Sequence, residues 1–169
     1  AEAADRVMIL DLLGRYAFAA DYGTGNPSEW ASLFVEDGRF EAPESGLQVT
    51  GRAALCEFID GLHRTIPGLH HVMSNHVMSN HVMSNHVIDI DGDRAYGKCQ
   101  LNEFLLRPEA IYPCIHGWYE DTYVRIDNRW YFELRKVHTL PDSTTVSTNG
   151  RIGEYFKEFW KFCEGYYTN

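Results

Sequence analysis

The sequence has no apolar run approaching the roughly 18 residues that span a bilayer, and no basic stretch ahead of a short apolar segment. The expectation is therefore a chain with neither a membrane helix nor a secretion signal. Positive charge is scarce, with 15 Lys and Arg against 24 Asp and Glu, a net charge of −9 and a pI near 5.3. That balance argues against nucleic acid and anionic membrane surfaces, both of which attract basic faces. Cysteine is sparse as well: Cys56, Cys99, Cys114 and Cys163 show no C-x-x-C spacing. A disulfide framework and a zinc site are not expected, and the reading is of reduced thiols in a cytoplasmic protein. With 14 Gly and 6 Pro there is no collagenous or low-complexity composition.

What is present is a globular composition. Its 169 residues are 44% hydrophobic and 23% charged, which fits one domain over 1–169. The aromatic fraction, 14%, is high, and aromatic side chains often line pockets for flat apolar ligands.

Apolar spacing predicts a helix from about Ala3 to Ala20, with Val7, Leu10, Leu13, Tyr16, Ala17 and Ala20 at three- and four-residue steps. Asn26 as cap, Pro27 in the first turn and Glu29 at the capping-box position start a short second helix carrying Trp30. Glu36-Asp37-Gly38 reads as a turn before a strand at Arg39–Ala42, and Thr50 as the cap of a third helix ended by Pro67-Gly68. The second half reads as strands. Val87–Ile90 turns at Asp91-Gly92-Asp93 into Ala95–Leu106; Ile115–Ile126 turns at Asp127-Asn128 into Arg129–Leu140. A last helix is expected from Ile152 to Tyr166. Helices first and a long sheet after them make an α+β pattern.

A perfect pentapeptide repeat interrupts this plan. His71-Val72-Met73-Ser74-Asn75 recurs as His76–Asn80 and His81–Asn85, and His86-Val87 begins another copy. Five residues match no solenoid unit. An odd period sends successive histidines to opposite faces of a strand, so four imidazoles do not converge on a metal. The segment 71–86 is read as an expansion of one strand or loop whose pairing register is under-specified, because its copies are identical.

The run Arg15-Tyr16-Ala17-Phe18-Ala19-Ala20-Asp21, the Trp-containing helix, Phe34-Val35-Glu36-Asp37-Gly38, a His-x-x-x-Asn strand, and Gly117-Trp118-Tyr119-Glu120-Asp121 through Trp130 resemble the SnoaL-like group. That group includes scytalone dehydratase, bile-acid dehydratase and a dehydrochlorinase, within the nuclear-transport-factor-like superfamily. The likeness runs from about residue 5 to 140. It implies an α+β cone: a curved, mixed but mostly antiparallel sheet wrapped around N-terminal helices to enclose an apolar pocket. It also implies a homo-oligomer, trimer or dimer.

The resemblance places Asp21 on the family's aspartate at the end of the first helix, with Tyr16 five residues earlier. Counting back from Val87-Ile88-Asp89-Ile90-Asp91 puts His81 on the family's histidine; counting forward from Gly68-Leu69-His70 selects His71, and His76 and His86 are further copies. Trp30, Asn85, His116 and Tyr119 are the candidate substrate-binding residues. Two departures stand out: a second histidine of scytalone dehydratase falls where this chain has Cys99, and a tyrosine expected near Phe40–Pro43 has no equivalent.

The implied activity is a cofactor-independent dehydratase-type lyase acting on a small, largely apolar cyclic or aromatic compound, with neither metal nor organic cofactor. A neutral imidazole titrating near working pH suits proton abstraction, an Asp fixes its tautomer, and a Tyr donates to the oxygen that gains charge. The alternatives are an isomerase or polyketide cyclase, and a non-catalytic small-ligand module.

Overall fold

A computed structural model describes residues 2–21, 25–65, 78–107, 110–140 and 150–168; for 78–82, 105–107, 110–111, 114, 150–152 and 155 it describes the backbone alone. Helix α1 (Glu2–Ala20) is followed by α2 (Pro27–Ser32), which starts as the sequence predicts: the Asn26 side chain accepts a hydrogen bond from Glu29 N at 3.1 Å, and Pro27 occupies the first turn. Strands β1 (Phe34–Ala42) and β2 (Leu47–Thr50) precede α3 (Arg52–Thr65). Then come β3 (Met78–Asp91), β4 (Arg94–Arg107), β5 (Ala110–Ile126), β6 (Arg129–Thr139), α4 (Gly150–Cys163) and a 3₁₀ turn at Glu164–Tyr166.

The six strands lie in the order β2-β1-β6-β5-β4-β3, all neighbours antiparallel except β1 and β6. This is the expected α+β architecture of helices on a mixed, mostly antiparallel sheet. The sheet does not close into a barrel; β2 and β3 are its edges. The β5–β6 hairpin turns on Asp127 and Asn128, both at positive φ (48° and 60°), the conformation that a tight two-residue hairpin demands.

Two local expectations change. Glu36-Asp37-Gly38 is not a turn but part of β1, where the ladder to β6 shifts between Phe34 and Arg39. Thr50 closes β2 instead of capping α3, and Gly51, at φ 90°, makes the corner that only a residue without a Cβ takes readily.

Over Ala95–Glu103 and Ile115–Tyr123, before the ladder shifts at Phe104, side chains alternate, so Ala95, Cys99, Leu101 and Glu103 share one face with Ile115, Tyr119, Asp121 and Tyr123, all buried. Bulges reset this alternation at chosen points. On β6, Thr122 pairs with Leu134 and Tyr123 with Phe132, which leaves Glu133 extra. Trp130 and Phe132 therefore face inward on even positions, and after the bulge Arg135 does so on an odd one. On β3 the ladder shifts between Ser84 and Val87, with Asn85 at φ 54°, and the inward set passes from Met83 to Ile88 and Ile90.

Helix α1 crosses the inner face and is anchored at its first turn. Buried Asp5 accepts from Trp130 Nε1 at 3.0 Å and from Arg125 Nη1 at 2.9 Å. This bond pair ties α1 to the β5–β6 hairpin and fixes which turns of the helix reach the sheet centre.

Candidate active site

Between α1, α3, α4 and the inner face of the sheet lies an apolar cavity of about 200 Å³. Tyr16 and Ala20 of α1 and Trp30 of α2 close one side; Leu101, Ile115, Tyr119 and Val137 form the sheet wall; Phe159, Trp160 and Cys163 of α4 cover the top. The stripe that made the last segment helical thus becomes a roof. Helix α4 sits low because α3 presents Gly61 to it: a Cβ there would lie 2.0 Å from the Phe162 ring.

The polar atoms of the wall belong to few residues. Glu103 is 7% exposed, buried in β4, and belongs to the cavity wall. The backbone ladder pairs it with His81 on β3 and Ile115 on β5. Glu44, exposed at the β1–β2 turn, lines the mouth and meets His138 Nδ1 at 2.8 Å.

Beneath the two tyrosines the guanidinium of Arg135 is fully buried. Its carbon lies 3.5 Å from the centre of the Tyr119 ring and 4.0 Å from that of Tyr16, so both rings stack on a cation. Arg135 Nε is 3.3 Å from Asp121 Oδ1, and Asp121 Oδ2 accepts from the Tyr123 hydroxyl at 2.8 Å. Burial pushes the Asp121 carboxyl up to about 6 despite the attraction of Arg135. Burial opposes charge on Arg135 too, yet Asp121 and the neighbouring phenols raise it above its ordinary value, and it stays a cation.

Burial also pushes the Tyr16 phenol up to about 12, against the pull of Arg135, and lifts Tyr119 well above its ordinary value, helped by Tyr16. Both are protonated donors at neutral pH. Burial raises the Cys99 thiol to about 11 and the Cys163 thiol to about 12, which removes both from consideration as thiolate nucleophiles.

Of the residues singled out in the sequence, Tyr16, Trp30 and Tyr119 line this cavity together. Asp21 follows Ala20 directly, is half-buried, and is not part of the lining. Asn85 is exposed in the β3 bulge, where its Nδ2 donates to Gln100 Oε1 at 2.6 Å. His116 alternates away from Ile115 and interacts through Nδ1 with Asn102 Oδ1 on the outer face. The side chain of His81, and His71 and His76 entirely, lie outside the described residues. His86 is exposed, and partial burial together with Arg135 lowers its pKa.

Three groups escape a reading of the sequence. Glu103, not Cys99, is the β4 residue across from His81; Cys99 sits instead beside Arg135, whose Nη2 is 3.6 Å from its sulfur. A carboxylate on the apolar parity of a strand was the available signal. His63 of α3 donates from Nε2 to the Ala20 carbonyl at 2.9 Å, and a Cβ on Gly25 would meet both its ring and the Asp21 carbonyl. Arg135 is the third, and strand alternation without the bulge points it outward.

No group of metal ligands exists among the described residues, and no helix among them is long and apolar enough to cross a membrane. No curated protein matches the chain in sequence. Solved structures do match its shape. A protein of unknown function from Mycobacterium tuberculosis is 22% identical, covers 99% of this chain with 94% of its own, and superposes with a TM-score of 0.81. A protein from Novosphingobium aromaticivorans named for scytalone dehydratase is 25% identical, over 82% of this chain and 86% of its own, at a TM-score of 0.64. A protein from Catenulispora acidiphila, solved in complex with S-DNPA, is 22% identical over 86% of this chain and 98% of its own, at 0.69. Residues 1–136 match the SnoaL-like domain, and with the helices, sheet and cavity in place the chain belongs to that family.

Proposed function

We propose that this chain is a cofactor-independent lyase of the dehydratase type, acting on a small, largely apolar cyclic compound held in the cavity. The observation that carries the reading is the enclosed apolar space with two protonated phenols, Tyr16 and Tyr119, in its wall. A dry apolar cavity of about 150 Å³ accommodates benzene, so a volume near 200 Å³ suits a compact ring.

In this reading a base takes the proton beside a carbonyl, and the C–H electron pair becomes a C=C bond. The C–O bond on the next carbon breaks, and the leaving oxygen departs with a proton as water. Atoms and electrons balance without an oxidant. Tyr16 and Tyr119 donate hydrogen bonds to the carbonyl oxygen as it gains charge, a role suited to phenols that keep their protons. His81 is the base and Asp21 its orienting partner. Support for His81 is its register position opposite Glu103, a wall residue, and support for Asp21 is its place next to Ala20. The likeness to a protein named for scytalone dehydratase agrees with this class.

Mass analysis of products from a panel of cyclic β-hydroxy ketones tests the proposal. Loss of water is expected for the active compound, and Tyr16→Phe is expected to lower kcat by about 10²-fold with little change in KM. Isomerised product of unchanged mass would instead establish the proton-shuttling isomerase. Turnover undiminished in Tyr16→Phe, Asp21→Asn and His81→Asn would overturn the assigned roles.

A further inference from the structure

Trp30 is 1% exposed, and its indole Nε1 is sealed from solvent without a hydrogen bond among the described residues. That is an exception, because a buried indole N–H ordinarily finds an acceptor. Local chain geometry fixes where this donor sits. Asn26 N donates to Ala19 O at 3.0 Å, which ties the cap of α2 to the last turn of α1, and Trp30 N donates to Asn26 O at 2.9 Å. Trp30 is thereby held in register with the helix that carries Tyr16. Its ring packs against Tyr16, Phe34 and Phe40, with centroids 5.6, 5.0 and 5.8 Å away, and of these three only Tyr16 has a side-chain oxygen. The phenol already senses the donor: burial raises its pKa, and Arg135, Tyr119 and, least of these, Trp30 pull it back.

We infer that Trp30 is a positioning residue for Tyr16: as the substrate complex forms, its indole N–H donates to the Tyr16 hydroxyl oxygen and turns the phenol's own proton toward the substrate. This rests on the reading of Tyr16 as a donor to the substrate oxygen. Catalytic hydrogen bonds commonly close only in that complex. The Tyr16 ring is clamped: Tyr119 and Phe132 meet it edge to face at 5.8 and 5.6 Å, and the Arg135 guanidinium carbon lies 4.0 Å from its centre. The hydroxyl proton is the part left to rotate. A donor on one lone pair of the oxygen sends that proton to the other side, and it polarises the O–H into a stronger donor. The gain is realised as charge develops on the substrate, so it acts on kcat and hardly on KM.

Two measurements test this. In isotope-labelled protein, the assigned indole N–H resonance of Trp30 is followed during titration with cyclohexanone, a ring ketone without a leaving group. A downfield shift is expected in the parent protein and none in Tyr16→Phe. A resonance that moves equally in both, or stays still while other cavity signals respond, overturns the inference; no response from any cavity signal overturns the ketone site and the inference with it. On the compound that is turned over, Trp30→Phe is expected to lower kcat about tenfold with KM within about threefold. In the Tyr16→Phe background the same change is expected to cost nothing more, and losses that multiply overturn the inference. Undiminished turnover in Tyr16→Phe overturns the donor role of Tyr16 itself, a different failure. The resonance comparison decides the matter even if Trp30→Phe fails to fold.

Discussion

The inner face of the sheet is continuous, but its two halves solve the problem of burial in opposite ways. Around Arg135, Tyr16, Tyr119, Tyr123 and Phe132 pack ring against ring, and this buried cation faces a buried carboxylate. A few residues along the same strands, Leu101, Glu103, Ile115 and Val137 face open volume under α4. The filled half places Arg135 against Asp121; the hollow half places Glu103 in the wall of a cavity. The comparison teaches that polarity in a core marks a ligand place only where packing stops. Arg135 is buried beneath the rings of Tyr16 and Tyr119, whereas Glu103 belongs to the cavity wall.

The largest expected effect comes from breaking the filled half. Arg135→Met strands Asp121 without its counter-charge and removes the plate under both tyrosines, so stability in urea is expected to fall by about 3–5 kcal/mol. Glu103→Gln in the hollow half is expected to stay within about 1 kcal/mol of the parent, because its amide keeps the shape of the wall. Similar losses for both would erase the distinction between the halves. Next in size, Leu101→Ala enlarges an existing space and is expected to cost about 2 kcal/mol, whereas Phe132→Ala, which empties a closed one, is expected to cost about 3–5 kcal/mol.

A smaller effect is the pH dependence of the filled half. Asp121 has its pKa raised by burial from 3.8 to about 6, so the folded chain holds that proton more tightly than the unfolded one. Its contribution to stability is therefore greatest below about pH 4 and declines as pH rises toward about 6. Asp121→Asn is expected to flatten that part of the stability profile in acid-range denaturation. The smallest effect falls at the β3 bulge. Asn85, at φ 54°, tolerates Gly within a few tenths of a kcal/mol but is expected to lose about 1 kcal/mol as Val in thermal unfolding, since β-branched residues resist that conformation.

Much of this molecule is readable from its sequence. Asn26, Pro27 and Glu29 announce α2 because capping is local chemistry, and Asp127-Asn128 announces a hairpin for the same reason. Family likeness singles out Tyr16 as a catalytic candidate and Trp30 and Tyr119 as substrate-binding ones, and all three line the cavity. What stayed hidden depends on register. Counting alternate residues from Trp130 and Phe132 puts Leu134 inside and Arg135 outside; one extra residue at Glu133 reverses both. The same kind of offset at Ser84–Val87 leaves Asn85 facing water, and the pentapeptide gives no hint of it, since Asn80 has identical neighbours and continues the ladder without a shift. Non-local contacts such as His63 with Ala20 leave no local signature at all.

Gly61 has a consequence out of proportion to its size. A single hydrogen in place of a methyl lets the Phe162 ring rest on the α3 backbone, and from that foothold Phe159, Trp160 and Cys163 hang over the hollow. The height of the roof above the hollow is thus gauged by the thickness of one absent carbon, on a residue that is not itself part of the lining.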